Sequence, residues 1–256
     1  MSTVKIIETG KKFGNMNTQK AFYPEGLSRD EIKEIFMKNR EAVGEHFGFD
    51  GHKMFMADQN HKRGTYFEIS RDYVEANPNG WTDIPEDILI VTDKVPGVAI
   101  GHPVADCPVI MLSDVAQGVT AIAHCSAELI DKRMPMMIAD ALVDAYSSKD
   151  EDIIAYVGAC AGSEWTYDRF PAWARDQKMW EKGIYMGDDG LFHIDMKKVI
   201  ASQMRERNIG NVSYSSYNTI TDPNFYSNSI ARIDPEKAGR QFSGAFYPEE
   251  KGRGRK

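Results

Sequence analysis

The stretch Val109-Ile110-Met111-Leu112, Ser113-Asp114-Val115-Ala116-Gln117-Gly118, Val119-Thr120-Ala121-Ile122-Ala123 decides how the chain is read. Two short, continuous apolar runs flank a polar turn that ends in glycine, the mark of strands buried on both faces. Paired as a hairpin folded near Val115 and Ala116, the runs place residue 107 opposite residue 124. Cys107 and His124 then meet at the open end of neighbouring strands, about 4.8 Å apart. Two donors on one tetrahedral zinc are separated by roughly 3.5 Å. The pairing suits a shared metal, and equally a Cys–His hydrogen bond.

Outward from the hairpin, residues 88–91, 98–100 and 153–157 read as further buried strands, and 54–57 and 65–69 as shorter ones around Asp58-Gln59-Asn60-His61. Ser28, with Glu31 in the capping-box position, starts a helix running to about Phe47. Ile32, Ile35, Phe36, Ala42 and Val43 give that helix a buried face. Further helices are expected at about 135–146, 171–180 and 196–207. Residues 218–240 form a long irregular, polar and aromatic tract, of the kind that is usually functional or disordered. Strands and helices without strict alternation indicate an α+β fold, and no composition break divides the chain. The expectation is one domain, 1–256, with flexible ends at about 1–20 and 248–256.

Composition narrows the function classes. The 256 residues carry 31 Lys plus Arg against 38 Asp plus Glu, a net charge of −7. That balance argues against a nucleic-acid partner, which needs a basic face. The 42% of hydrophobic residues is enough for a real core. No apolar run approaches the roughly 20 residues that span a bilayer, so no membrane partner is expected. Three cysteines without a small disulfide framework, and no export signal near Met1, point to a cytoplasmic protein.

The chemistry concentrates around Cys107. Pro108 restricts Cys107 to extended geometry, and the neighbouring Asp106 can orient a ligand or act as a base. A third zinc ligand would come from His61, His102, His46, His52 or His193, and spacing does not choose among them. Cys125, adjacent to His124, should face the other side of the strand. Cys160 lies either in the core or in the glycine loop Gly158-Ala159-Cys160-Ala161-Gly162. There is no Walker A pattern, no Gly-x-Ser-x-Gly elbow and no zincin motif, and Asp188-Asp189-Gly190 reads as a turn.

Taken in order, several segments resemble the multicopper polyphenol oxidoreductase, or laccase-domain, family of zinc-dependent purine nucleoside enzymes. Lys38-Asn39-Arg40 looks like its Asn-Arg pair, and Asp58-Gln59-Asn60-His61 is similar to its Gln-x-His-Gly segment. Ala105-Asp106-Cys107-Pro108 resembles its Ala-Asp-Cys signature, and Ala123-His124 opens its Ala-His-Ala-Gly-Trp-Arg-Gly segment. Gly158 to Tyr167 parallels its Gly-Pro-x-Ile-Gly-x-x-x-Tyr loop, and Gly239-Arg240-Gln241 its final Gly-Arg-Gln.

The resemblance implies a layered α/β/β/α sandwich with mixed sheets. It implies zinc held by His61, Cys107 and His124; on that reading Gln59, Tyr167 and Arg240 are candidate substrate-side residues and Asp106 or Glu128 candidate proton carriers. It implies phosphorolysis of purine nucleosides such as adenosine to base and ribose 1-phosphate, and adenosine deamination. The sequence departs from the family in the substrate cradle. Trp-Arg-Gly is replaced by Ala127-Glu128-Leu129, the late Cys-Thr by Asn218-Thr219, and Ser-x-Arg-Arg by Ser227-Asn228-Ser229-Ile230, with Arg232 nearby. Arginine and glutamate are opposite in charge and hydrogen-bonding role, which bears directly on phosphate. Two other readings compete: a metal-free thiol hydrolase with Cys107 as nucleophile and His124 as base, and a non-catalytic member that keeps zinc to bind a ligand. Laccase chemistry is the weakest reading, because a multicopper cluster needs many more histidines than the six present.

Overall fold

The hairpin forms, but in a different register from the expected one. In the computed structural model, which describes residues 3–57, 64–80 and 84–249, strand β6 (Val109–Asp114) runs antiparallel to β7 (Val119–His124) with Val109 opposite His124 and Asp114 opposite Val119. The turn is responsible. The Asp114 carboxylate accepts from the Gln117 N–H at 3.0 Å, and Gly118 closes the turn on the Val115 carbonyl with φ +63°. Only glycine adopts that backbone without penalty. Cys107 is therefore not across from His124; it lies two residues beyond Val109, past the end of the ladder.

Around the hairpin the main sheet runs β12 (Asn211–Tyr214), β8 (Ile153–Val157), β6, β7, β4 (Ile88–Thr92) and β3 (Tyr66–Glu68). It is mixed: β12 is parallel to β8 and β3 to β4, while the other pairs are antiparallel. A second sheet runs β1 (Lys5–Glu8), β13 (Gln241–Phe246), β5 (Ala99–Val104) and β2 (Met54–Met56). A small third sheet joins β10 (Ile184–Met186), β11 (Phe192–Ile194) and β9 (Thr166–Tyr167).

Alternation along the central strands then dictates the layers. Ile88, Ile90, Ile110, Leu112, Ala121 and Ala123 pack in one core with Ile138 and Leu142 of α4 (Met134–Tyr146) and Val199 and Met204 of α6 (Met196–Glu206). Leu89, Val91, Val109, Met111 and Ile122 face the other way, onto Phe55, Ile100, Val104 and Ala245 of the second sheet. The outer face of that sheet, with Met54, Ala99, Phe242 and Phe246, packs on Phe36 and Val43 of α1 (Arg29–Phe47). The order is helix, sheet, sheet, helix: an α+β layered sandwich, as expected. Each fully buried aliphatic side chain contributes about 1.5–3 kcal/mol. No helix among the described residues is long and apolar enough to cross a membrane.

Local signals set most boundaries. Ser28 caps α1 in a full capping box with Glu31, and Gly48 ends it at φ +89°. Its buried face differs from the expectation, however. Ala42 is exposed and Ile35 half-buried, while Arg40 occupies the stripe between Phe36 and Val43. Arg40 is fully buried because its guanidinium donates to the carbonyls of Asn79, His52 and Met54. The helix expected at about 171–180 shrinks to α5 (Gln177–Trp180), because Asp131 accepts the N–H groups of Arg175 and Asp176 and holds the preceding chain non-helical. Asp131 closes α3 (Ala127–Asp131), whose N-cap is Ser126, and α2 is the short helix Arg71–Ala76.

Two further expectations change. The first residues are not a flexible end from Lys5 on: β1 pairs along β13 and fully buries Ile7. The strand expected at 98–100 continues through His102 and Pro103. Proline is tolerated there because β2 pairs only as far as Gly101, so no ladder partner is lost on that side.

Candidate active site

His124 is the last residue of β7, on the same face as Ile122, and so looks into the layer between the sheets. Cys125 faces the opposite way, into the helix-side core, as the alternation required. Its N–H donates to the Pro108 carbonyl at 2.9 Å, which closes the open end of the hairpin. Cys107 sits just past that bond. Burial pushes its thiol up to about 12; the Asp106 carboxylate adds to the shift and the Arg240 guanidinium opposes it. Burial pushes His124 down to about 4, and Arg240 adds to that shift. Arg240 thus lies within electrostatic reach of both Cys107 and His124.

Arg240 comes from the end of the irregular tract. Its guanidinium is half-buried and stacks on Phe22 at 4.4 Å; Nη1 donates to the Gly239 carbonyl, and no ion pair holds it among the described residues. Its backbone N–H donates to the side-chain oxygen of Asn15, whose carbonyl accepts from Asn39 on α1. The asparagine of the Asn39-Arg40 pair therefore holds the strand that delivers Arg240, while Arg40 itself points elsewhere and pins the start of β2.

Asp106 has a backbone in the left-handed region, φ +74°, which costs a non-glycine residue about 1 kcal/mol or more. It is buried, and remote donors hold its carboxylate. Oδ1 accepts from the Thr219 hydroxyl at 2.7 Å, and Oδ2 accepts from the Ser229 N–H at 2.6 Å and hydroxyl at 2.7 Å. The Asp106 carbonyl accepts from Ala161 at 2.8 Å, and Thr219 N–H donates to Cys160 at 3.1 Å. The glycine loop and the irregular tract are both wired to the residue preceding Cys107. Cys160 is core, fully buried with Ala161.

His102 reaches the same layer from β5. Its ring centroid is 6.2 Å from that of His124, and burial with its neighbour His124 pushes it down to about 3. Both nitrogens of His102, and Nδ1 of His124, are buried without a hydrogen-bond partner among the described residues. Buried polar atoms in that state are costly, and metals or ordered water are the usual remedies. A thiol and a histidine with an orphaned nitrogen fit a borderline-soft cation such as zinc. Among the described residues no three His, Cys, Asp or Glu side chains form a group that could hold a metal ion. His102 therefore does not complete a triad with Cys107 and His124. Gln59 and His61 lie outside the described residues.

The other two candidates stand further out. Tyr167, on β9, packs edge-on against Trp165 and Trp173, centroids 5.6 and 6.2 Å away, and these two indoles stack on each other at 5.6 Å. Glu128 is exposed in the first turn of α3 and lines a cavity of about 150 Å³ with Asp131, Lys132, Trp173 and Arg175. Reading the residues missed Asn15, Phe22, Thr219 and Ser229. Asn15 and Phe22 carry no local signal, because their partner Arg240 is more than 200 positions away. Ser229 could have been weighed as a donor, since it sits where the resembled family has charged residues.

The two-sheet sandwich defines a class of fold, and the comparisons agree with it. The family described as multi-copper polyphenol oxidoreductase laccase matches residues 9–247, and the chain belongs to that family. Among solved structures it is similar to Bacillus licheniformis hypothetical protein YfiH, with 19% identity, 95% of this chain and 92% of that one covered, and a TM-score of 0.73. YlmD from Geobacillus stearothermophilus gives 15% identity, 97% and 92% coverage, and a TM-score of 0.73. At these identities the likeness shows the fold. No curated protein matches the chain.

Proposed function

We propose that the chain is a zinc-dependent enzyme of purine nucleosides, cleaving adenosine with phosphate, deaminating it, or both. One observation carries the reading: a donor pair for a soft cation, Cys107 and His124, lies within electrostatic reach of Arg240, a half-buried guanidinium with no ion pair among the described residues. Cys107, His124 and, by family resemblance, His61 would hold the metal. When bound, zinc supplies Lewis acidity and a water of lowered pKa.

The chain's own residues do the rest. Arg240 offers a forked donor for an anion beside the reacting centre, the role phosphate needs filled, and Phe22 keeps its plane fixed. Its presence answers in part the replacement of the family's arginine by Glu128. Glu128, exposed beside Trp173, would exchange a proton with solvent, and the Trp165–Tyr167–Trp173 cluster would offer aromatic faces to a purine. A metal-free thiol mechanism is disfavoured: desolvation pushes the Cys107 thiol up and the His124 imidazole down, away from the thiolate–imidazolium pair that activates a catalytic thiol. The site is proposed to work inside the cell, where thiols stay reduced.

The test is metal content by inductively coupled plasma mass spectrometry on the wild type and on Cys107→Ala, His124→Ala and His61→Ala, followed by adenosine turnover with and without phosphate. About one zinc per chain, lost in all three variants, with adenine or inosine formed, is the expected result. Metal-free wild type, or turnover untouched by His124→Ala, would overturn the reading.

A further inference from the structure

We propose that Asp106 is a positioning residue: its carboxylate clamps the peptide leading into Cys107 to the tract that delivers Arg240, while its carbonyl clamps that peptide to the glycine loop. The inference rests on the zinc reading above and assigns Asp106 a task other than carrying protons.

The geometry is specific. The Asp106 carbonyl belongs to the same planar peptide unit as the Cys107 N–H, so the bond it accepts from Ala161 fixes that plane directly. The side chain reaches in the other direction. Thr219 holds Oδ1, and Ser229 holds Oδ2 through both its N–H and its hydroxyl, from positions 113 and 123 residues away. A left-handed backbone persists at a non-glycine residue only where its surroundings over-determine it. Here four bonds from two chain segments, the glycine loop and the irregular tract, do so. Lys237, itself buried, donates to the Thr219 and Asp222 carbonyls and braces the same tract from behind. Three donors on the two oxygens tie the carboxylate to the tract and so couple the position of Cys107 to that of the tract.

The decisive experiment measures zinc affinity by competition with a chromophoric chelator for the wild type, Asp106→Asn, Ser229→Ala and Asp114→Asn. Amide hydrogen exchange across residues 219–232 is followed in parallel. Asparagine tolerates the left-handed backbone but carries a single acceptor oxygen, so Asp106→Asn retains the turn and leaves either Thr219 or Ser229 facing an NH₂ group in place of a carboxylate oxygen. Asp114→Asn substitutes an equally buried aspartate at the far end of β6 and controls for a general loss of stability. Asp106→Asn is expected to weaken zinc binding about 10- to 100-fold, the usual effect of losing a residue that orients a ligand, and to speed exchange of the tract. Ser229→Ala, which keeps its N–H, should weaken binding a few-fold, and Asp114→Asn less than about twofold. Zinc affinity unchanged in Asp106→Asn, or lowered equally in Asp114→Asn, overturns the proposal. A wild type that takes up no zinc overturns the nucleoside reading; the clamp is then decided by exchange, and unchanged protection in Asp106→Asn overturns it as well.

Discussion

The two ends of the β6–β7 hairpin are built from similar residues and do different work. At the turn end, Asp114 is buried and its carboxylate accepts from Gln117, three residues along, beside a glycine at φ +63°. At the open end, Asp106 is also buried, but its carboxylate's partners lie more than a hundred residues away and its neighbour is Cys107. Local hydrogen bonds set a register and do little else. Remote ones bring separate segments to one point, and that is where a thiol, imidazole and guanidinium can be assembled.

The sharpest way to break this comparison is His124→Ala. At the open end it should remove zinc and lower adenosine turnover at least about 100-fold, while the midpoint of thermal unfolding of the metal-free protein changes little. A comparable loss of metal from a substitution at the turn end would erase the distinction.

Leu112→Ala, two residues before the turn, should do the converse. Leu112 is fully buried against the helix layer, so truncation should cost about 2–5 kcal/mol, measured by urea unfolding, with zinc stoichiometry retained in the folded fraction. Gly118→Ala is a smaller test at the turn itself. The new Cβ would meet the Asp93 carboxylate at 2.5 Å and sit on a left-handed backbone, at a cost of about 1 kcal/mol and again without effect on metal. Loss of metal in either variant would show that the two ends are coupled.

The smallest effect belongs to a region outside both ends. His193 on β11 presents Nδ1 to the Ser163 carbonyl at 2.7 Å and Nε2 to the Asp189 carboxylate at 3.0 Å. Two acceptors can be satisfied only by the imidazolium. Its pKa is raised above 6.5, first by Asp189 and then by the Ser163 carbonyl, while the Asp189 pKa is lowered, first by the Leu191 N–H and then by His193. The histidine's contribution is fully present below its ordinary value and is lost as pH rises through the raised one. An NMR titration should find the His193 value above 6.5 in the wild type and moved back towards it in Asp189→Asn. Identical titrations in the two proteins would remove the pair from the account.

Much of the fold was legible because its signals are local. Ser28 and Glu31 announce α1 through a capping box that spans three residues, and the apolar runs of β4, β6, β7 and β8 announce strands buried on both faces. The alternation that sends His124 to one side and Cys125 to the other needs only adjacency. Where a local pattern was ambiguous, the reading slipped. The hairpin register moved because the turn is closed by Asp114 and Gly118 rather than folded at Val115 and Ala116. Arg40 displaced Ala42 from the helix's buried face because three backbone carbonyls, invisible in the pattern, satisfy its guanidinium.

By itself, then, the sequence determined the α+β class, the positions of the central strands, the α1 cap and the donor chemistry of Cys107 and His124. These depend on propensity, periodicity and residue type, all of which act within a few positions. Only the tertiary structure decided that Arg240 stands beside the pair, that Asn39 and Asn15 hold the strand delivering it, that His102 shares the inter-sheet layer without completing a triad, and that Thr219 and Ser229 close on Asp106. Those contacts join residues up to 225 positions apart, and nothing short of the folded sheets brings them within hydrogen-bonding distance.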